Sequence, residues 1–251
     1  MEQYLRLAID AALKAGEAIL EVYSKPFNVD IKADNSPVTD ADRKAGDIIT
    51  TLLEKTGIPV LSEEGKQIPY EERKDWKQLW IVDPLDGTKE FVKKNGEFTV
   101  NIALIENNSP VLGVIHSPVK NILYYGMNGS GSFRMIPGSD TVKLPLNYSG
   151  RKFTVVSSRS HSNPQTLEYL EKMRNEKGEI DVITGGSSVK FCLVAEGSAD
   201  IYPRFGPTME WDTAAGQAIV ESVGKGVYDV STMRSLLYNK ANLRNNNFIV
   251  K

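Results

Sequence analysis

The chain has 251 residues with a formal net charge of -2, from 30 basic and 32 acidic side chains, and a single cysteine. That length supports a substantial core, in one large domain or two modest ones, and the intermixed charges exclude both a nucleic-acid-binding stripe and a polybasic membrane patch. The lone Cys192 excludes an intramolecular disulfide and agrees with a reducing, cytoplasmic compartment.

In the first 23 residues Leu5, Ala8, Ile9, Ala12, Ala15, Ile19 and Val22 recur at helical spacing, which predicts an amphipathic helix. Glu2, Arg6, Asp10, Lys14, Glu17 and Glu21 interrupt the same segment, so neither a signal-peptide apolar region nor a membrane span is expected there. A second helix follows, capped by Thr39 or Asp40, with Ala45, Ile48, Ile49, Leu52 and Leu53 on its apolar face and Gly57 at its end.

From about Val60 to Val142, short apolar runs such as "LWIV", "FTVNIALI", "PVLGVIHSP" and "NILYYGM" alternate with Gly, Asn and Pro. This predicts strands joined by hairpin-like turns in one mixed or antiparallel sheet. After Gly150, "FTVVSS", "EIDVIT" and "ADIYPRF" alternate with helical stretches over Pro164 to Glu176, Ser188 to Glu196 and Thr213 to Val223, as in α/β units. The expected organisation is an α+β half over residues 1–150 and an α/β half over residues 151–251. No internal repeat, low-complexity tract or Pro/Ser-rich linker occurs, so the halves should pack closely.

The stretch "WIVDPLDGTKEF", Trp80 to Phe91, sets two carboxylates behind a short apolar run. "LWIV" reads as a strand, and Pro84 and Gly87 read as turning the chain after it, so that Asp83 and Asp86 leave one bend with the Leu85 carbonyl between them. Such oxygens suit Mg2+. They equally suit a plain turn, because Asp-Pro and Asp-Gly are turn pairs, and the stretch alone leaves both readings open. "PVLSEEG" places Glu63 and Glu64 after another apolar run, as ligands or as solvated loop acids; "EWDTAAGQAIV" places Asp212 at a helix start, as a ligand or an N-cap. "ITGGSSVKF" puts two glycines and two serines between a strand and a helix, where hydroxyls, N–H groups and Lys190 can bind a phosphate or form only a capped glycine turn. Cys192, inside "KFCLVAEG", reads as a small apolar residue on a helix face. His116 and His161, the only histidines, lack partners at zinc-like spacing. Trp211 reads as packing, and "DGTKEF" lacks the glycine and lysine spacing of a P-loop.

The set "VTDAD", "SEEG", "DPLDGTKEF" and "WDTAAG", in this order and at these separations, resembles the Mg2+-dependent, lithium-sensitive phosphatase superfamily that includes inositol monophosphatase and fructose-1,6-bisphosphatase. The likeness runs from the first helix to at least Val220. Within that superfamily "KADNSPVTDAD", "VSSRSH" and "SSVKFCLVAEGSADIYPRFGPTMEWDTAAG" are most similar to the bacterial 3'(2'),5'-bisphosphate nucleotidases of the CysQ type. Those enzymes remove the 3'-phosphate of adenosine 3',5'-bisphosphate, a by-product of sulfate activation.

The resemblance implies an α/β (α+β) fold layered as an α-β-α-β-α sandwich, with most metal ligands in the first half. It implies two or three Mg2+ ions held by Glu63, Asp83, Asp86, Asp212 and the Leu85 carbonyl. Thr88, positioned by Asp42, would orient the attacking water, with Glu63 part of the same catalytic group and Glu64 supporting it from behind. Around the scissile phosphate the implied contacts are Glu63, Leu85, Asp86, Gly87, Thr88 and Asp212, with N–H groups of a helix starting near Thr88 to Glu90. Around the nucleotide they are Ser157, Arg159, His161, Ser187, Ser188, Lys190 and Arg204. The implied partner is a small bisphosphate nucleotide, not a nucleic-acid polymer, and the implied assembly is a monomer or homodimer without an integral membrane segment. Localisation is expected to be cytoplasmic; some bacterial members of the resembled family sit peripherally on the inner membrane, and no anchor of that kind is encoded here. An inositol monophosphatase and a non-catalytic Mg2+-dependent nucleotide-binding protein are the competing readings, and Thr88 with Asp42 argues against the second.

Overall fold

The computed structural model describes residues 1–32, 36–159 and 163–251. Helix α1 (Glu2–Tyr23) buries Leu5, Ala8, Ala12, Ala15, Ile19 and Val22, together with Ala11 and Gly16. Ile9 lies at the edge of this stripe and is half-buried. A short antiparallel hairpin, β1 (Val29–Ile31) and β2 (Pro37–Thr39), leads into α2 (Asp40–Leu53). Thr39 is the cap: its hydroxyl accepts the Ala41 N–H while Asp42 accepts the Thr39 N–H, so two of the free donors at the helix start are satisfied reciprocally. Beyond α2 a 3-10 turn over Glu54–Thr56 ends on Gly57 at φ 71°, in the left-handed region that glycine enters without strain.

The middle of the chain forms one seven-stranded sheet. Its strands are β3 (Val60–Ser62), β4 (Gln78–Asp86), β5 (Thr99–Glu106), β6 (Ser109–Ser117), β7 (Ile122–Met127), β8 (Gly131–Met135) and β9 (Val142–Lys143), in spatial order of the chain. Only β3 and β4 run parallel, so the sheet is mixed. Short helices α3 (Tyr70–Arg73) and α4 (Thr88–Val92) flank β4.

Strand β4 differs from the sequence expectation in a way that shapes the site. It does not end at Val82 but continues to Asp86, with Asp83 opposite Asn101, Asp86 opposite Thr99 and an irregular register between them. Pro84 has no N–H to give a ladder, and a bulge is where a strand tolerates such a residue. The two aspartates therefore leave a bulged strand end, and the chain turns only at Gly87, whose φ is 94°.

The remaining chain supplies β10 (Phe153–Ser158), α5 (Pro164–Lys177), β11 (Ile180–Gly185), α6 (Val189–Glu196), β12 (Tyr202–Arg204), α7 (Glu210–Glu221), β13 (Val227–Asp229) and β14 (Phe248–Val250). β10 pairs in parallel with β11, and β12, β14 and β13 form a second small sheet. Helix α7 starts three residues before Thr213, because extended Met209 is the cap and its N–H donates to Asp212 Oδ2 at 2.8 Å. The layers run from α1 and α2 through the large sheet, α6 and α7, and the small sheets to α5. One apolar cluster fills the space between the helix pair and the large sheet around Ile49, Trp80, Phe91 and Ile102. A second joins the other face to α6 and α7 around Ile81, Ile115, Phe191 and Ile219. Because both faces are covered, the strands read as continuous apolar runs without polar alternation.

Helix α7 lies directly on the sheet at glycines. A Cβ at Gly113 would stand 2.3 Å from the Ala215 carbonyl oxygen and 2.8 Å from the Ala218 Cβ, and backbone cannot yield cheaply. Gly113→Ala is expected to destabilise the protein by about 1–3 kcal/mol through overpacking, read as a lowered thermal midpoint. An unchanged midpoint would contradict this close approach.

Candidate active site

Three parts of the fold converge at the end of β4. The segment after β3 brings Glu63, the bulge brings Asp83, and the first turn of α7 brings Asp212; each offers a carboxylate oxygen, and these oxygens lie within 4.8 Å of one another. Leu85, Asp86, Gly87 and Thr88 share with them the wall of a cavity of about 260 Å³.

Asp83 is 1% exposed and its two oxygens divide the readings left open by the sequence. Oδ1 accepts the Leu85 N–H at 3.0 Å, an Asx-type turn bond, while buried Oδ2 has no hydrogen-bond partner among the described residues. Burial first, then the charges of Glu63, Asp86, Asp212 and Asp42, push its carboxyl well above the usual range. Asp212 is pushed up in the same way, by burial and then by Asp86 and Glu63. An orphaned buried oxygen inside a crowd of acids is costly in isolation, and a cation removes the cost. The donors are carboxylate oxygens without nitrogen or sulfur, so the residues present fit a hard divalent cation.

Asp86 stands on the same wall but outside that close trio. It accepts the Ser188 N–H and the Asn101 side-chain amide at 3.4 Å; burial raises its carboxyl, with Lys190 opposing. Glu64 sits behind Glu63, and both are joined by a residue that sequence reasoning missed. Lys32, just after β1, donates to Glu63 at 2.9 Å and also to Glu64. Burial works against the charge of Lys32, the two glutamates outweigh it, and its pKa is raised. Only the folded contact identifies it, since a lysine in a polar segment 31 residues before Glu63 looks like a solvated charge.

Thr88 and Asp42 meet across elements 46 residues apart. The Thr88 hydroxyl donates to Asp42 Oδ1 at 3.0 Å and lies 3.3 Å from the Leu85 carbonyl oxygen. Asp42 Oδ2 accepts the Thr39 N–H at 2.7 Å and the Thr39 hydroxyl at 2.6 Å. Burial raises the Asp42 carboxyl and these bonds resist the rise. Capping α2 and holding Thr88 are thus done by different oxygens of one carboxylate.

Ser187, Ser188, Lys190 and Arg204 line the same cavity, together with Phe191, Tyr202 and Phe248. Ser157 and Arg159 do not line it, and His161 lies outside the described residues. Several donors of the "GGSS" turn are already engaged. Gly186 N–H bonds Glu97, Ser188 Oγ bonds Asn101 at 2.6 Å, and the Lys190 ammonium holds the Ser187 and Gly185 carbonyls. Lys190 is pushed down to about 8 by burial, with Asp86 opposing. Ser187 Oγ and Arg204 Nε are buried without hydrogen-bond partners among the described residues, so both are donors that a ligand could engage. Cys192 is buried in the core, as read from its helix position, and Trp211 packs against the same core. His116 is also buried, with Nδ1 3.1 Å from the Ala12 carbonyl oxygen. Among the described residues, no helix is long and apolar enough to cross a membrane.

Residues 1–248 match the model of the inositol monophosphatase family. A protein of Shigella flexneri named 3'(2'),5'-bisphosphate nucleotidase CysQ is 48% identical over 228 residues, covering 87% of each chain. The protein of the same name from Salmonella typhimurium is 47% identical over 239 residues, covering 91% of this chain and 90% of that one. Among solved structures, CysQ from Bacteroides thetaiotaomicron superposes with a TM-score of 0.92 at 50% identity, covering 100% of this chain and 97% of the other.

Proposed function

The chain belongs to the inositol monophosphatase family, and we propose that it is a Mg2+-dependent phosphomonoesterase that converts adenosine 3',5'-bisphosphate to AMP and phosphate. One observation carries the catalytic reading: the Thr88 hydroxyl, held by Asp42 at 3.0 Å, lines the same cavity as Glu63, Asp83 and Asp212. The choice of nucleotide is supported by the relatives of that name.

Glu63, Asp83, Asp86, Asp212 and the Leu85 carbonyl would hold the metal. Two or three Mg2+ ions bound there would screen the phosphate, acidify a water and stabilise charge on the leaving oxygen. The chain's own part is orientation. With the Thr88 proton committed to Asp42 Oδ1, the lone pairs of Oγ1 are left to accept a hydrogen bond from the attacking water. Asp42 cannot swing away from this task, because its other oxygen is fixed by Thr39. Lys190 and Arg204 put positive charge on the lining of the cavity, where the nucleotide's second phosphate needs it. In this reading residues 1–150 supply most metal ligands and residues 151–251 the nucleotide side. The cellular role is removal of the by-product of sulfate activation in the cytoplasm.

Phosphate release from adenosine 3',5'-bisphosphate and from inositol phosphate, each with and without Mg2+ and Li+, tests the proposal. Mg2+-dependent, Li+-inhibited release with preference for the nucleotide is expected. A faster rate on the inositol substrate would overturn the specificity, and nucleotide binding without turnover at saturating Mg2+ would overturn catalysis.

A further inference from the structure

We infer that Glu97 is a positioning residue for the nucleotide side of the cavity. Anchored by Arg159, it fixes the turn over residues 185–188 in the arrangement that takes the substrate's second phosphate, an inference that rests on the function proposed above. Glu97 lies in the segment between α4 and β5, where neither its type nor its spacing marks it out. Its carboxylate nevertheless gathers three donors from two distant segments. Oε1 accepts Arg159 Nη2 at 2.7 Å; Oε2 accepts Arg159 Nε at 2.9 Å and the Gly186 N–H at 2.9 Å. Arg159 follows β10 and Gly186 precedes α6, so one side chain from the first half of the chain ties together two pieces of the second.

The backbone of Glu97 is wedged at the same point. A Cβ at Gly186 would stand 2.8 Å from the Glu97 carbonyl oxygen, and a Cβ at Gly87, next to Thr88, would stand 3.1 Å from it. Glu97 therefore spaces the turn beside Thr88 from the turn that carries Ser187, Ser188 and Lys190. Next to Gly186, Ser187 adopts φ 45°, and its buried hydroxyl on the cavity has no hydrogen-bond partner among the described residues. A non-glycine residue stays in that region only when its surroundings over-determine it, and the Gly186 to Glu97 bond is one such constraint.

The Arg159 pair anchors the Glu97 carboxylate at two points. Glu97 engages the guanidinium through Nε and Nη2, fixing its plane, and the edge carrying Nη1 takes no part in the pair. The Arg159 side chain is 50% exposed, so the pair adds little to stability for its own sake. What the pair does is hold the Glu97 carboxylate in place, so that the Gly186 N–H and the turn on the cavity wall lose less freedom when a phosphate binds there.

The test compares kcat and KM of the full-length, Mg2+-saturated protein for adenosine 3',5'-bisphosphate and for adenosine 3'-monophosphate, which lacks the second phosphate. Glu97→Ala is expected to raise KM for the bisphosphate about tenfold, with kcat changed less than about twofold and KM for the monophosphate unmoved. Glu97→Gln, which keeps an acceptor for the Gly186 N–H but not the ionic pair, should fall between, and it carries the test if the alanine variant does not fold. An equal KM rise on both substrates, or no rise on the bisphosphate, overturns the positioning role while leaving the proposed function intact. A wild-type protein inactive on the bisphosphate overturns both.

Discussion

Asp83→Asn is expected to lower metal-dependent phosphate release by about three orders of magnitude or more, and to raise the thermal midpoint of the metal-free protein. The substitution preserves shape and separates the two things Asp83 does. Asparagine keeps an oxygen for the Leu85 N–H, so the local bend survives. What it loses is the charge on the second oxygen, which is buried beside Glu63 and Asp212 with no hydrogen-bond partner among the described residues. An amide N–H₂ at that place donates to neighbouring carboxylates where a carboxylate oxygen repels them, which relieves the crowding that pushes the Asp83 carboxyl up. Melting curves and phosphate release, each with and without Mg2+, check both halves. Wild type should gain stability on adding Mg2+, as any ligand of the folded state confers; the variant should start higher and gain little. Wild-type turnover in the variant would contradict the ligand assignment. A lower metal-free midpoint would show that the acids do not repel.

How much of this was legible beforehand follows the range of the interactions involved. Stripes on α1 and α2 announce themselves within a few turns, because Leu5 to Val22 and Ala45 to Leu53 recur on one face. The covered strands of the large sheet announce themselves as apolar runs. Boundaries fared worse where one residue serves two ends. Pro84 looks like the stop of a strand and is in fact inside a bulge of β4. Asp212 looks like a cap and is the third residue of α7, bonded back to Met209. The last two strands, Val227–Asp229 and Phe248–Val250, are too short to separate from loops by pattern, and their pairing with each other spans some twenty residues.

The acids of the candidate site were singled out through a whole-chain resemblance, since no local property distinguishes Glu63 or Asp212 from ordinary surface carboxylates. Lys32 and Glu97 show what such a reading leaves behind. Each is a charged residue in a polar segment, and each gains meaning from partners 31 and 62 residues away. An ion pair set by tertiary structure leaves no periodicity to detect. The Thr88 and Asp42 pair was legible only as a family pattern, and its geometry adds the reason it can work: Thr39 occupies the other Asp42 oxygen.

Removing the Thr88 hydroxyl should therefore act on turnover and spare metal binding. Thr88→Val, nearly isosteric, is expected to lower kcat by about 10²–10³-fold, the range of a positioned proton-handling group, with the Mg2+ concentration for half-maximal rate changed less than about twofold. Thr88→Ser, which restores the hydroxyl, should recover most of the rate, and Asp42→Asn should reproduce the loss. The last variant carries a second effect. An amide oxygen in the place of Oδ2 still accepts both Thr39 bonds but without the carboxylate's charge, and the loss of that charge in the first turn of α2 costs about 0.3–1 kcal/mol, so it should also melt earlier, which Thr88→Val should not. The competing possibility is that Thr88 matters through its 3.3 Å approach to the Leu85 carbonyl oxygen, a candidate metal ligand. In that case Thr88→Val would raise the Mg2+ requirement and saturating metal would restore the rate. A kcat that stays low at saturating Mg2+ places the hydroxyl with the water; a rate that recovers places it with the metal.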